Sequence, residues 1–257
     1  MFMQLTDAQV EHFYEQGFVL AENPVDAETM RRIDERQREV EAPWRRTDFE
    51  GFNRLACQFF MIGEPLFELA ERDDFIDTAR RLLDADDLHI GACGIGDASE
   101  IVSADGRPQR QVNWHADGKE GVKVVSFRIA LDRHGPGNGP LRVLPGSHRR
   151  PRDRVREEFL QRERAVNADA PSKWCFARHP DELEIELESK LCMIWSPTCW
   201  HATGVKSAPG PRRALGFNYF GPEGRRRDLD ALKHVCPGWP DWSDRRKALW
   251  ALESGDS

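Results

Sequence analysis

The feature that most restricts this chain is a pair of metal-type donors two residues apart. They are His115 and Asp117, in Gln111-Val112-Asn113-Trp114-His115-Ala116-Asp117-Gly118, and a further histidine, His201, lies 84 residues beyond Asp117. In an extended strand residues i and i+2 point to one face, so an imidazole and a carboxylate at this spacing can share one metal ion. Two donors hold a metal loosely. The third candidate is His201, in Thr198-Cys199-Trp200-His201-Ala202-Thr203-Gly204. A fold that uses all three has to carry segments far apart in sequence to one point. Two imidazoles and one carboxylate leave other coordination positions open, which suits chemistry at non-haem Fe(II) and not a closed structural zinc site. A bare H-x-D is common and by itself reads as a satisfied surface pair, so its surroundings decide.

Those surroundings form an ordered series. After Asp117 come the strand-like residues 122–131, then Asn138-Gly139-Pro140-Leu141-Arg142-Val143-Leu144-Pro145-Gly146-Ser147-His148. Beyond His201, Arg212 opens another strand-like run, and Arg213 follows it. In order and spacing these features resemble the phytanoyl-CoA dioxygenase (PhyH) family of Fe(II)/2-oxoglutarate-dependent oxygenases. The likeness begins at the N-terminus, in Leu5-Thr6-Asp7-Ala8-Gln9-Val10-Glu11-His12-Phe13, and runs to residue 220 or so.

The resemblance implies a mainly β protein with flanking helices and a double-stranded β-helix core, the jelly-roll or cupin-like fold. It implies Fe(II) held by His115, Asp117 and His201, 2-oxoglutarate as cosubstrate, O2 as oxidant, and release of succinate and CO2. Arg212 then corresponds to the residue that clasps the far carboxylate of 2-oxoglutarate. A planar guanidinium forms a bidentate, charge-assisted pair with a carboxylate, so that role is chemically sound. Arg213 would face the other way. Thr203, two residues past His201, corresponds to a hydroxyl that helps hold the same acid. Related halogenases carry a small residue at the place of Asp117, so the carboxylate favours hydroxylation; desaturation and ring formation stay open.

Read in order, the chain starts with a helix from Leu5 to Gln16, capped by Thr6 or Asp7 and stopped at Gly17. A short strand at 18–20 and a helix at 27–41 follow. Residues 42–63 read as mixed, and further helices follow Pro65 and begin at Asp73 or Asp74. Residues 88–96 alternate as a strand, with His89 an ordinary sheet histidine, and 97–110 form a polar loop near the mouth of the site. Alternation puts Gln111 and Asn113 on the face of His115, as candidates to touch cosubstrate or substrate or as plain sheet-polar residues.

Over 122–131 one parity is Val122, Val124, Ser126, Arg128 and Ala130, the other Lys123, Val125, Phe127, Ile129 and Leu131. The second reads as the packed outer face and the first as the lumen. An arginine inside a barrel is costly without an anionic partner, so Arg128 is a candidate for a carboxylate or phosphate of cosubstrate or substrate. The Pro145-Gly146-Ser147-His148 segment reads as a structural turn, with His148 outside the metal site. Residues 149–173 read as a charged helix or a lid. A strand with one wet side is expected over 181–188 and a buried one over 191–195. The tail from Gly221 should be a cover whose tryptophans pack on the barrel. The expected layout is one domain over 1–257, with a helical part to about 87, the jelly roll over about 88–220 and the cover after it.

A net charge of −7 argues against nucleic acid and anionic membranes as partners, and Arg225-Arg226-Arg227 reads as a solvated face. Six cysteines without C-x-x-C spacing, and no 18-residue apolar run or signal-like start, point to reduced thiols and a cytoplasmic location. The expected partner is a small-molecule substrate, with an anionic group as one option. Two rivals remain: a jelly roll that binds a metal or a small acid without turnover, and a Zn(II) hydrolase.

Overall fold

The computed structural model describes residues 2–97, 112–169, 175–224 and 228–252. Helix α1 (Asp7–Gln16) begins with a capping box: Thr6 accepts from Gln9 N, and the Gln9 side chain accepts from Thr6 N. It ends at Gly17, whose φ of 85° suits a residue without Cβ. Strand β1 (Phe18–Glu22) and helix α2 (Ala27–Glu39) follow, α2 stopping two residues short of the expected end. Helices α3 (Arg54–Ile62), α4 (Glu64–Ala70) and α5 (Asp73–Leu83) complete the N-terminal half. Sequence reading did not resolve α3. It is capped by Asn53 and buries every residue from Ala56 to Phe60 as well as Ile62, and its short apolar run over 59–62 fits a buried strand as well as a helix.

Strands β2 (His89–Asp97), β3 (Val124–Ala130), β4 (Leu141–Val143), β5 (Leu183–Ile185), β6 (Leu191–Trp195), β7 (His201–Thr203) and β8 (Arg213–Phe220) form two antiparallel sheets. Their orders are β1-β6-β3-β8-β2 and β5-β4-β7. This is the expected jelly roll, with one difference in extent. Strand β1 lies beside β6 at the edge of the larger sheet, so the sheet reaches back to residue 18 instead of starting near 88. Helix α6 (Arg152–Val166) lies between β4 and β5 in sequence, and α7 (Leu229–Val235) and α8 (Asp244–Leu249) follow β8.

The parity of β3 divides the interior in two. Val125, Phe127 and Ile129 join Leu215, Phe217 and Tyr219 of β8 in a core that packs against α3, α4 and α5. Phe127 stacks on Phe217 at 5.6 Å and meets Phe75 of α5 edge-on. Truncating Phe127 to alanine should cost roughly 3–5 kcal/mol. The opposite face of β3 carries Val124, Ser126 and Arg128 into a cavity.

Two expectations about the later chain are corrected. The strand over 181–188 shrinks to Leu183–Ile185, and its faces do not follow simple alternation. Leu183 is 49% exposed, whereas Glu182 is buried in an ion pair with Arg142. The C-terminal tryptophans pack on helices more than on the barrel: Trp250 lies against Phe59, Phe60 and Phe67 of α3 and α4, and Trp242 against Phe67. The six cysteines are free thiols, and no helix among the described residues is long and apolar enough to cross a membrane. Gln111, residues 98–110 of the segment expected as a polar loop over 97–110, and Arg225-Arg226-Arg227 lie outside the described residues.

Candidate active site

Strand β7 brings His201 into the interior opposite Val143 of β4. On its other side His115 forms a lone antiparallel bridge: His115 N donates to His201 O at 3.0 Å and His201 N donates to His115 O at 2.9 Å. Directly paired residues project to the same face of a sheet. The two imidazole centroids are accordingly 4.2 Å apart. The segment around His115 is extended but not the continuous strand its alternation suggested. Asp117 is held by its backbone, Asp117 N donating to Pro197 O at 2.8 Å.

The donor atoms converge. Asp117 Oδ2 lies 3.8 Å from His115 Nε2 and 3.6 Å from His201 Nε2, and ligand atoms of all three fall within 4.8 Å of one another. A first-row metal bonded at about 2.0–2.2 Å to each needs donors about 3–4 Å apart, so the set fits one ion. Both tautomers suit it. His115 Nδ1 donates to Asn113 O at 2.8 Å and His201 Nδ1 to Cys199 O at 2.9 Å, which leaves both Nε2 lone pairs for a metal. Burial pushes the pKa of His201 down, and the neighbouring His115 adds to the effect, so the ring is neutral and able to coordinate at physiological pH.

Arg212 and Arg213 face opposite ways. Arg213 forks onto Asp132, at 2.8 and 2.9 Å, and also meets Asp34. Arg212 is 4% exposed, and its Nε donates to Gly139 O at 2.6 Å. Gly139, at φ 62°, leaves room for it: a Cβ there would sit 2.8 Å from Arg212 Nε. Thr203 is buried on β7, and its Oγ1 accepts from Val112 N at 2.6 Å, so its own proton is available to a ligand.

The cavity beside Asp117 measures about 340 Å³, and its lining includes Ser126, Arg128, Trp195, Gly216 and Asn218. Arg128 is half-buried; its Nε is fully enclosed and has no hydrogen-bond partner among the described residues. Burial lowers its pKa to about 10, which still leaves it charged at neutral pH. One wall carries almost no side chains, because Gly94 pairs with Gly216 and Gly96 with Ala214 across β2 and β8. A Cβ on Gly96 would meet nothing within 4 Å and its φ is ordinary, so the fold itself does not require glycine there.

The other expected residues take simpler places. The Asn113 side chain donates to Trp114 O, and it is the Asn113 carbonyl that orients His115. His148 is part of a turn that ties down α1: His148 Nε2 bonds Tyr14 O, and Gly146 N bonds Gln16 O. His89 stacks on Phe220 in the sheet. Within the stretch read as a charged helix or a lid, residues 152–166 form helix α6, packed behind the metal-type donors, with Phe159 stacked on Trp114 at 4.5 Å and set against Trp200. Sequence reading missed this support. A tryptophan immediately before each histidine, Trp114-His115 and Trp200-His201, was its available signal.

A family model described as phytanoyl-CoA dioxygenase (PhyH) matches residues 13–214. The chain belongs to that family. It is 25% identical over 243 residues to an ectoine dioxygenase of Halomonas elongata, covering 84% of this chain and 70% of that protein. The fold matches the crystal structure of EctD from S. alaskensis with 2-oxoglutarate and 5-hydroxyectoine, at TM-score 0.63 and 17% identity over 87% of this chain and 78% of that one. AviO1 from Streptomyces viridochromogenes Tue57 matches at TM-score 0.63 and 19% identity, over 85% and 96% of the two chains. As a PhyH-family member the chain is an Fe(II)/2-oxoglutarate-dependent oxygenase that uses O2.

Proposed function

We propose that this oxygenase hydroxylates a compact molecule bearing an anionic group, with His115, Asp117 and His201 as its iron ligands. The observation that carries the reading is the meeting of two Nε2 lone pairs and one Oδ2 beside a cavity whose enclosed cation, Arg128, has an Nε without an acceptor. Bound Fe(II) and 2-oxoglutarate supply the oxidising chemistry, which consumes O2 and releases succinate and CO2. The protein groups bind and orient.

Arg212, braced by Gly139 O, pairs with the far carboxylate of 2-oxoglutarate, and the Thr203 hydroxyl donates to the same group. Since Arg212 serves the cosubstrate, Arg128 is left for a substrate anion, with Ser126 and Asn218 as polar neighbours on the cavity wall. The wall around Gly96 gives the substrate room to lie against backbone, whereas Gly94 is covered by Leu55. Likeness to ectoine dioxygenases supports a small polar substrate. The whole chain acts as one oxygenase domain, since β1, from the helical half, supplies an edge strand of the larger sheet.

Succinate formation with Fe(II), ascorbate, O2 and 2-oxoglutarate tests this directly, measured against a panel of compact carboxylates that includes ectoine. One or more panel members should stimulate turnover. Loss of a charge-assisted bond is worth about 1.5–3 kcal/mol, so Arg128→Met should raise the half-saturation for that compound about 10- to 100-fold. An iron-loaded, folded protein that never turns over 2-oxoglutarate would favour a binding module or a hydrolase instead.

A further inference from the structure

Asp117 is the weakly supported arm of the site. Its side chain is 58% exposed, and among the described residues the only polar atoms recorded near its carboxylate are the two imidazoles at 3.6 and 3.8 Å. It also lies on no regular strand. Something other than sheet pairing has to keep the carboxylate aimed at the point where the histidines meet.

The N-terminal end of α6 supplies that support. Arg152 Nη1 donates to Gly118 O at 3.1 Å, and Arg152 Nη2 donates to Asp117 O at 3.2 Å and to Ala116 O. Three successive carbonyls around the carboxylate arm are thus gathered by one guanidinium. Arg152 N also bonds Glu120 Oε1 at 3.3 Å, which ties the far side of the same loop to the helix. One turn further on, α6 buries Val155 and Phe159 against Trp114 and Trp200, the residues that precede the two histidines. One helix therefore contacts all three donor segments: two through an apolar cluster and one through a cationic fork.

We infer that Arg152 is a positioning residue for the metal centre, which sets the Asp117 carboxylate by holding the 116–118 backbone against α6. The inference rests on the reading of His115, Asp117 and His201 as metal ligands. A lysine cannot reproduce the fork, because it offers a single compact ammonium where the guanidinium spreads its donors in a plane. Residues that orient metal ligands typically change metal affinity by about 10- to 100-fold when lost. Arg152 is half-buried and is not among the buried core residues, so its removal should affect the loop more than the fold.

The test is anaerobic titration of the full chain with Co(II) alone, followed by its visible absorption, alongside thermal melting. The wild type should bind one Co(II), and His201→Ala should abolish binding. If the wild type binds no Co(II), the ligand reading itself fails. Given a binding wild type, Arg152→Ala should melt within a few degrees of it, yet bind Co(II) about 10- to 100-fold more weakly with an altered spectrum. Arg152→Lys should fall between the two. If Arg152→Ala does not fold, Arg152→Lys and Arg152→Gln carry the test in the same way. Folded Arg152 variants with wild-type Co(II) affinity and an unchanged spectrum would overturn the inference.

Discussion

The two histidines and the aspartate reach the same point by different means. His201 lies on a strand with paired neighbours on both sides, has a side chain only 9% exposed, and has its ring oriented by Cys199 O. Asp117 sits in a loop with its side chain mostly in solvent, and depends on Pro197 O and Arg152 for its backbone path. A sheet fixes direction through many cooperative bonds, whereas a loop fixes it through a few tertiary ones. The imidazole pair should therefore behave as part of the fold, and the carboxylate as an attachment to it.

The strongest way to break this contrast is to delete each side. His201→Ala and Asp117→Ala should both reduce 2-oxoglutarate turnover to background in a succinate assay. Their melting curves should differ. Loss of His201 leaves a buried carbonyl at Cys199 without its donor, a cost of about 1–3 kcal/mol, or several degrees in Tm for a chain of this size. Asp117→Ala should melt within about a degree of wild type. Equal destabilisation by the two would remove the distinction.

A second effect sharpens the line between groups kept for folding and groups kept for ligands. Among the described residues the enclosed Nε of Arg128 has no acceptor, so Arg128→Met should raise Tm in the ligand-free protein while weakening substrate binding. Arg142 has the same charge and is buried too, but it is fully engaged. It forks onto Glu182 at 2.6 and 3.1 Å, bonds Phe176 O and Ala177 O, and lies over the Trp114 ring. Arg142→Met should lower Tm, at a cost of about 1–3 kcal/mol, because it removes the buried partner of Glu182 and leaves that carboxylate only His179 N and the exposed Arg178. Differential scanning of the two variants reads the opposite signs.

The same pair gives a pH dependence. Burial alone would raise the Glu182 carboxyl, but hydrogen bonds from Arg142 and from His179 N outweigh it, and the group ends below its ordinary value. A carboxylate whose folded pKa is depressed contributes stability above its unfolded pKa, and that contribution is lost as pH falls through the folded value. Tm should thus hold down to about pH 5 and decline below about pH 4, and Glu182→Gln should flatten part of that decline. The smallest effect concerns the bare wall of the cavity. Gly96→Val should leave Tm near wild type and raise substrate half-saturation several-fold, with the half-saturation for 2-oxoglutarate less affected.

The legible parts of the sequence were those where one residue type has a distinctive chemical requirement. Thr6, Gly17 and the β3 alternation placed a helix start, its stop and the two faces of a strand. His115, Asp117 and His201 were legible as a candidate donor set because their order and spacing, with the segment 138–148 and Arg212, resemble the PhyH family. The rest depended on tertiary context. Helix α3 is short, and its apolar run over 59–62 fits a buried strand as well as a helix. Leu183 and Glu182 exchange sides because Arg142 needs a buried anion more than the leucine needs burial. Arg152 looked like one arginine among many in a charged helix, and only the fold shows its guanidinium against the 116–118 carbonyls.

The most direct test of the central claim is a crystal structure grown without oxygen in the presence of Fe(II) and 2-oxoglutarate. One iron should appear bonded to His115 Nε2, His201 Nε2 and an Asp117 oxygen at about 2.0–2.2 Å, with the far carboxylate of the keto acid on Arg212. An iron bound elsewhere, or bound by the histidines while Asp117 points away, would contradict it.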